Sequence, residues 1–345
     1  MQFLSGLFVF VGNNSETGHY VTLLKYFKNE KIIAAGSLSF LLLLSVTVIK
    51  ANNISAKPDT LILEGRWDLT VDMNGKPVPS WLEVHHSGLK TLVGRFVGGG
   101  GSARPISKVN FSGGKFSFSI PPQWENSDID LTVEGTLDND KISGTMKAPD
   151  GKTYNYTGVR APSLVREKDP VWGAPIKLFN GKDMSGWHVT GEKNQWVVEN
   201  GVMKSPQSGS NLVSDQKFND FKLHIEFRYP KESNSGVYLR GRYEVQVADN
   251  KGEQPSVDFL GAIYGFIIPK KMMAKAAGEW QSYDVTLIGR RVTLVVNGVQ
   301  VITDQEIPGI TGGALDSNEG EPGPLQIQGD HGPVEYRNIV ITPAK

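Results

Sequence analysis

The 345-residue sequence has no cysteine. Disulfide frameworks, thiolate metal sites and cysteine nucleophiles are therefore excluded. No sign of charge is in excess, since 36 Lys and Arg balance 36 Asp and Glu. That balance leaves no basic footprint for nucleic acid, and no acidic block marks a solvating tail. No Gly-x-Ser-x-Gly segment supports a serine nucleophile. The glycine run at 98–101 is not followed by a helical pattern, which rules out a phosphate-cradling loop. Helical periodicity is scarce, and only residues 270–277 hint at a helical turn.

One long hydrophobic run is present, the uncharged stretch at 32–49. Lys25, Lys28 and Lys31 precede it and Lys50 follows it. A basic flank before an apolar core reads as a signal peptide or an uncleaved membrane anchor within residues 1–56. The remainder is then expected outside the cytoplasm, periplasmic or extracellular, touching a membrane only through this segment.

The chain is rich in glycine (39) and in short β-type runs, the composition of an all-β protein with tight turns. Residues 61–163 carry evenly spaced strand patterns separated by Asn74-Gly75, Gly113-Gly114, Asp138-Asn139 and Asp150-Gly151. This predicts a small antiparallel barrel or sandwich. The adjacent His85 and His86 point to opposite faces of a strand, so they make no paired metal site. Residues 161–175 hold three prolines and form a linker, expected to pack through Trp172. Residues 172–345 read as ten or more short strands, the pattern of a two-sheet jelly roll.

Three segments of that second domain place polar side chains on one face of a strand. The segment at 234–249 sorts Val237, Leu239, Val245 and Val247 to one side and Tyr238, Arg240, Glu244 and Gln246 to the other. The segment at 221–229 sorts His224, Glu226 and Arg228 opposite Phe221, Leu223, Ile225 and Phe227. The third supplies Gln326, Gln328, Asp330 and His331. Converging in one cleft, these groups would make an acid–base site for a sugar, with Tyr264 and Trp280 as flat surfaces. The simpler alternative for Glu226 and Arg228 is pairing with cross-strand neighbours. Asp249, Asn250, Glu253 and Asp258 match no calcium-loop spacing, so a solvated acidic loop is favoured there.

An ordered set of motifs then carries a resemblance. LFNGKDMSGW (178–187), WVVENGVM (196–203), DFKLHIEFR (220–228), NSGVYLRGRYEVQVAD (234–249), GEWQSYDV (278–285) and GPLQIQGDHGPVEYRNI (323–339) together resemble the 3-keto-disaccharide hydrolase family. That family was formerly a domain of unknown function and is related in fold to the concanavalin A-like lectins and glucanases. The resemblance implies a concanavalin A-like jelly roll acting on glycosides already oxidised at C3. A sugar 3-dehydrogenase would then be the functional partner that supplies the ketone. The assigned expectations are Glu244 and Glu226 as base or metal ligand and His331 as acid or second base. Arg228 and Arg240 would hold the 3-keto oxygen. Asn234, Tyr238, Gln246, Tyr264, Trp280 and Gln326 would contact the sugar. A divalent metal ion is compatible with Glu, His and Gln together, although no metal-spacing motif demands one. Gln246 stands where a glucanase of this fold would carry a carboxylate, which argues against ordinary glycosidase chemistry. The alternative to an enzyme is a non-catalytic, lectin-like carbohydrate-binding module.

Overall fold

A computed structural model describes residues 8–12, 20–24, 62–123 and 125–345. The hydrophobic run at 32–49 lies outside the described residues. Among the described residues no helix is long and apolar enough to cross a membrane. The chain divides into two compact units, Met1–Pro58 and Asp59–Lys345. In the first, β1 (Phe8–Gly12) and β2 (Tyr20–Leu24) pair antiparallel.

The second unit is all-β and holds two hydrophobic cores. Its first half is a closed antiparallel barrel. The strands are β3 (Gly65–Met73), β4 (Lys76–Ser87), β5 (Thr91–Val97), β6 (Arg104–Ser112), β7 (Lys115–Ile120), β8 (Leu131–Asp138), β9 (Lys141–Lys147) and β10 (Thr153–Arg160). Each pairs with the next in sequence, and β10 closes on β3. Closure leaves no unpaired edge to recruit another chain. Alternation drives it: Trp67, Leu69 and Val71 point inward from β3 against Phe96, Phe116, Phe118 and Tyr156. Asn74 and Gly75 both adopt positive φ, 58° and 82°, as a two-residue hairpin turn requires.

The second half is a two-sheet sandwich. Its strands are β11 (Ile176–Lys177), β12 (Trp187–Val189), β13 (Val197–Glu199), β14 (Val202–Ser205), β15 (Leu212–Phe218), β16 (Phe221–Arg228), β17 (Asn234–Leu239), β18 (Tyr243–Ala248), β19 (Gln281–Ile288), β20 (Arg291–Val296), β21 (Val299–Glu306), β22 (Gly323–Ile327) and β23 (Val334–Pro343). The larger sheet runs β13-β14-β23-β16-β19-β20-β21, with β11 added on β23. The smaller runs β12-β15-β22-β17-β18. Phe221, Leu223, Ile225, Phe227 and Tyr283 of the larger sheet meet Val237, Leu239, Val245, Val247 and Ile327 of the smaller in one core.

The sequence reading has no counterpart for β1, β2, β6, β11, β12 or β15. β6 opens on Arg104-Pro105, and its pairing with β5 shifts register between Leu92 and Gly94, so its alternation is broken. The segment at 270–277 forms no helix; its Lys275 N–H is taken by Gln281 instead. The linker packs on the sandwich. Trp172 bridges to Ala344 and lies under Lys222 Nζ at 4.8 Å, while Arg166 grips Asp220 at 2.6 and 3.0 Å.

Candidate active site

The outer face of the smaller sheet builds the site. Hairpin register sets Tyr238 opposite Glu244 and Gly236 opposite Gln246, and β22 sets Gln326 on the other side of Tyr238. Because Val237, Val245, Val247 and Ile327 point into the sandwich, Tyr238, Glu244, Gln246 and Gln326 must point away from it. Gly236 makes room for the acid: a Cβ there would stand 2.2 Å from Glu244 Oε1. Tyr238 Oη donates to Gly312 O at 3.0 Å, and the Glu244 N–H donates to Thr311 Oγ1 at 3.0 Å. The 311–313 segment is thereby fastened over the strands.

A cavity of about 200 Å³ lies above this face, lined by Glu244, Gln246, Tyr238, Asn234, Tyr264, Gln328, Asp330 and His331 among others. Glu244 is 3% exposed. Burial pushes its carboxyl up to about 8, with the nearby Asp330 charge in the same direction, while Tyr238 and His331 pull it down. His331 Nδ1 is bonded to Asp330 Oδ1 at 2.6 Å. That carboxylate raises the imidazole above its ordinary value against the pull of burial, and Glu244 adds to the rise. Burial also raises Tyr264, which keeps its hydroxyl a proton donor at neutral pH. The same cavity thus carries a poorly solvated carboxyl and an imidazole held toward its cationic form.

The amides complete the lining. Gln246 Nε2 donates to Asp258 O at 3.1 Å and Gln326 Nε2 to Gly313 O at 3.1 Å. The carbonyl oxygens of Gln246, Gln326 and Gln328 are buried without a partner. An unmatched buried carbonyl is costly, so it marks a place where a ligand hydroxyl can donate.

The structure brings Asn234, Tyr238, Glu244, Gln246, Tyr264 and His331 together, with Gln326 alongside Tyr238. It does not bring in Glu226, Arg228, Trp280 or Arg240. Glu226 and Arg228 lie on β16, whose apolar side fills the same core from the opposite sheet. Their polar face therefore points out of the far side of the sandwich. There Glu226 accepts from Arg337 Nε at 2.6 Å and Asn338 Nδ2 at 2.8 Å. Those bonds outweigh its partial burial and hold it below the usual carboxylate range. Arg228 pairs with Glu335 and stacks on Trp280 at 4.8 Å, and Arg337 covers the same ring at 3.9 Å. Arg240 departs for a different reason. β17 ends at Leu239 and Arg240 takes φ 53°, so the alternation stops one residue before it. Its guanidinium turns to Tyr243 Oη at 2.7 Å and Gly289 O at 3.3 Å.

Sequence reasoning missed Asn211, which lines the cavity and accepts from the Gly329 N–H at 2.8 Å. It also missed the glycine backbones of 99–101 and 312–313. Asn211 lies one residue before β15, a strand that was not read, so no pattern pointed to it. Among the described residues no group of three or more His, Asp or Glu could hold a metal ion. Larger hollows exist on the barrel, one of about 640 Å³ beside Phe111 and Phe116. That hollow holds Lys115 and Glu134 but no buried carboxyl facing a histidine.

Comparison with known proteins places the same half of the chain. Residues 174–342 match the model of a family described as "3-keto-alpha-glucoside-1,2-lyase-like domain". A 3-keto-disaccharide hydrolase of Bacteroides thetaiotaomicron is 31% identical over 101 residues, 26% of this chain and 33% of that protein. The chain thus spans about one third of that relative's length. A solved protein of Parabacteroides distasonis, provisionally assigned as a glycosyl hydrolase, is 29% identical. The match covers 52% of this chain and 93% of that one, at a TM-score of 0.41. A β-glucanase of Bacillus licheniformis is 11% identical, covering 52% and 100% respectively, at a TM-score of 0.32.

Proposed function

We propose, from the match of residues 174–342 to the 3-keto-alpha-glucoside-1,2-lyase-like family, that the protein cleaves glycosides carrying a ketone at C3 of the sugar. The observation that carries the proposal is the buried Glu244 carboxyl, raised to about 8 and lining, together with His331, a cavity of about 200 Å³.

The chemistry follows from the ketone. A C3 carbonyl makes the C2 hydrogen acidic. Ionised Glu244 takes that proton, and the electron pair moves onto the C3 oxygen as an enolate. A base with a pKa near the working pH suits this step, because it is both available and strong. The enolate then re-forms the carbonyl, the C1–C2 double bond forms and the C1–O bond breaks. His331, whose hold on its proton Asp330 strengthens, gives that proton to the departing oxygen. Addition of water to the enone at C1, with protonation at C2, turns the elimination into net hydrolysis. Tyr264, Asn234 and the Gln246 and Gln328 amides are neutral hydrogen-bonding groups at hand for the enolate oxygen and the hydroxyls.

Gln246 beside Glu244 supports the activated substrate. Direct hydrolysis of an unoxidised glycoside needs two opposed carboxylates, and the second here would have to be Asp330, which is engaged by His331. The testing experiment is release of aglycone from a 3-keto-glucoside beside the unoxidised glucoside. Cleavage of the oxidised compound alone is expected. Cleavage of neither, with retained carbohydrate binding, would leave a lectin-like module.

We also propose that the run at 32–49 exports the protein, meeting its substrate outside the cytoplasm; fractionation of producing cells checks this.

A further inference from the structure

The cavity is not built by the family domain alone. Gly99, Gly100 and Gly101 of the barrel, on the loop between β5 and β6, line it beside Glu244 and His331. The loop is seated tightly. The Gly313 N–H donates to Gly99 O at 3.2 Å. A Cβ on Gly312 would stand 2.2 Å from Gly101 O, and one on Gly265 would stand 2.7 Å from Ala103 N. Gly312 is the residue whose carbonyl accepts from Tyr238, and Gly265 follows Tyr264. The barrel backbone therefore touches two segments that hold cavity-lining tyrosines.

The strands flanking the loop are anchored as firmly. Val97, at the end of β5, and Trp81, on β4, are fully buried within the sandwich core instead of the barrel core. Trp81 meets Phe266 edge-on at 5.4 Å, and Arg95 lies over the same Phe266 ring at 5.4 Å. Thr70 on β3 bonds Ser317 at 3.0 Å. These contacts fix the loop above the sheet.

We propose that the barrel loop at 98–102 is the specificity wall of the site. It closes what would be an open groove across β18, β17 and β22 into a pocket for one terminal sugar ring. This rests on the carbohydrate reading above. The size agrees: about 200 Å³ is below the roughly 300–1,000 Å³ of pockets for larger ligands. Glycine suits the wall because a bare backbone approaches a ring face closely and offers N–H and C=O groups to its hydroxyls. The substrate class is then a sugar bearing its ketone at a chain end, with the leaving group projecting outward. A polysaccharide lying across the sheet is excluded.

Gly100 is the position to probe. Its φ is not positive, and a Cβ there would meet no atom within 4 Å, so a side chain can be added without displacing the fold. In the full chain, Gly100→Trp is expected to raise KM for methyl 3-keto-glucoside at least tenfold, with melting temperature unchanged. Hydrogen exchange provides a second readout on the unaltered protein. Saturating methyl 3-keto-glucoside should slow exchange in peptides covering 98–103 as well as 243–248 and 326–331. A 1,4-glucan carrying its 3-keto unit inside the chain should produce neither effect and no cleavage. Protection of 243–248 and 326–331 without 98–103, or an unchanged KM in Gly100→Trp, overturns the loop's role and leaves the function intact. Protection of none of these peptides by the oxidised sugar overturns the carbohydrate reading and the wall with it.

Discussion

Glu244→Gln should make the protein more stable while abolishing turnover. The carboxyl ordinarily titrates near 4.5 and is raised to about 8 by burial. At about 1.4 kcal/mol per tenfold shift in acidity, that corresponds to roughly 5 kcal/mol against the charged form in the fold. A raised pKa means the folded state holds the proton more tightly than the unfolded state. The stabilising effect is complete below about pH 4.5 and is lost as pH climbs through about 8. At pH 7 the loss amounts to about 3 kcal/mol, because the unfolded chain has already ionised there. A glutamine fills the same space beside Gly236 and never ionises, so it escapes this loss. Thermal melts should place Glu244→Gln above the native protein by several degrees at pH 7, on the order of 5–10 °C. The difference should widen toward pH 9 and vanish near pH 4. Turnover should fall by about 10²–10⁴. In the native protein kcat/KM should rise toward pH 8 as Glu244 ionises. A variant no more stable at pH 9 than at pH 4 relative to the native protein, or one that keeps its activity, would refute the argument.

Other positions give separate expectations. Gly236→Ala places a Cβ 2.2 Å from Glu244 Oε1, so kcat should drop at least tenfold while the circular dichroism spectrum is retained. Glu226→Gln breaks a pair with Arg337 on the far face of the sandwich. Its depressed pKa contributes stability that is present at neutral pH and lost as the medium turns acid, and the effect should stay within about 1 kcal/mol. Turnover should be unchanged in that variant; a large loss would return Glu226 to the chemistry. Asp68 of the barrel is buried against Glu319, and burial with that neighbouring charge raises its pKa well above normal. Its stabilising proton is retained in acid and lost toward alkaline pH, so Asp68→Asn should flatten the alkaline fall in melting temperature. By contrast Glu319→Gln strips the buried Arg290 of its partner at 2.5 Å and should cost about 3–5 kcal/mol by denaturant titration.

The hairpin at 234–249 was the most legible part of the site because period-two alternation and a short turn fix both its faces and its register. Tyr238, Glu244 and Gln246 could be grouped from sequence for that reason. Alternation fails one step later, since it says which residues share a face but not which way the face points. Glu226 and Arg228 alternate as cleanly as Glu244, yet β16 lies in the other sheet and presents them to the opposite side of the sandwich. Arg240 was misplaced by carrying the strand through a residue with φ 53°. The barrel was readable from its turns, but β6 was hidden by its proline and its shifted register. The cavity wall at 99–101 was invisible in principle, because a glycine loop far away in sequence shows no chemistry until folding sets it beside Tyr264. The resemblance helped with family and fold, not with these placements.

Cleavage of a 3-keto-glucoside in deuterium oxide tests the central claim most directly. If Glu244 removes the C2 hydrogen, every turnover breaks that bond. The hydrolysed 3-keto-sugar should carry solvent deuterium at C2, or the product should be the enone that has lost the hydrogen altogether. Free product incubated with enzyme for the same time corrects for later exchange. Release of a sugar that keeps its original C2 hydrogen, with no enone, would contradict proton abstraction and the role assigned to Glu244.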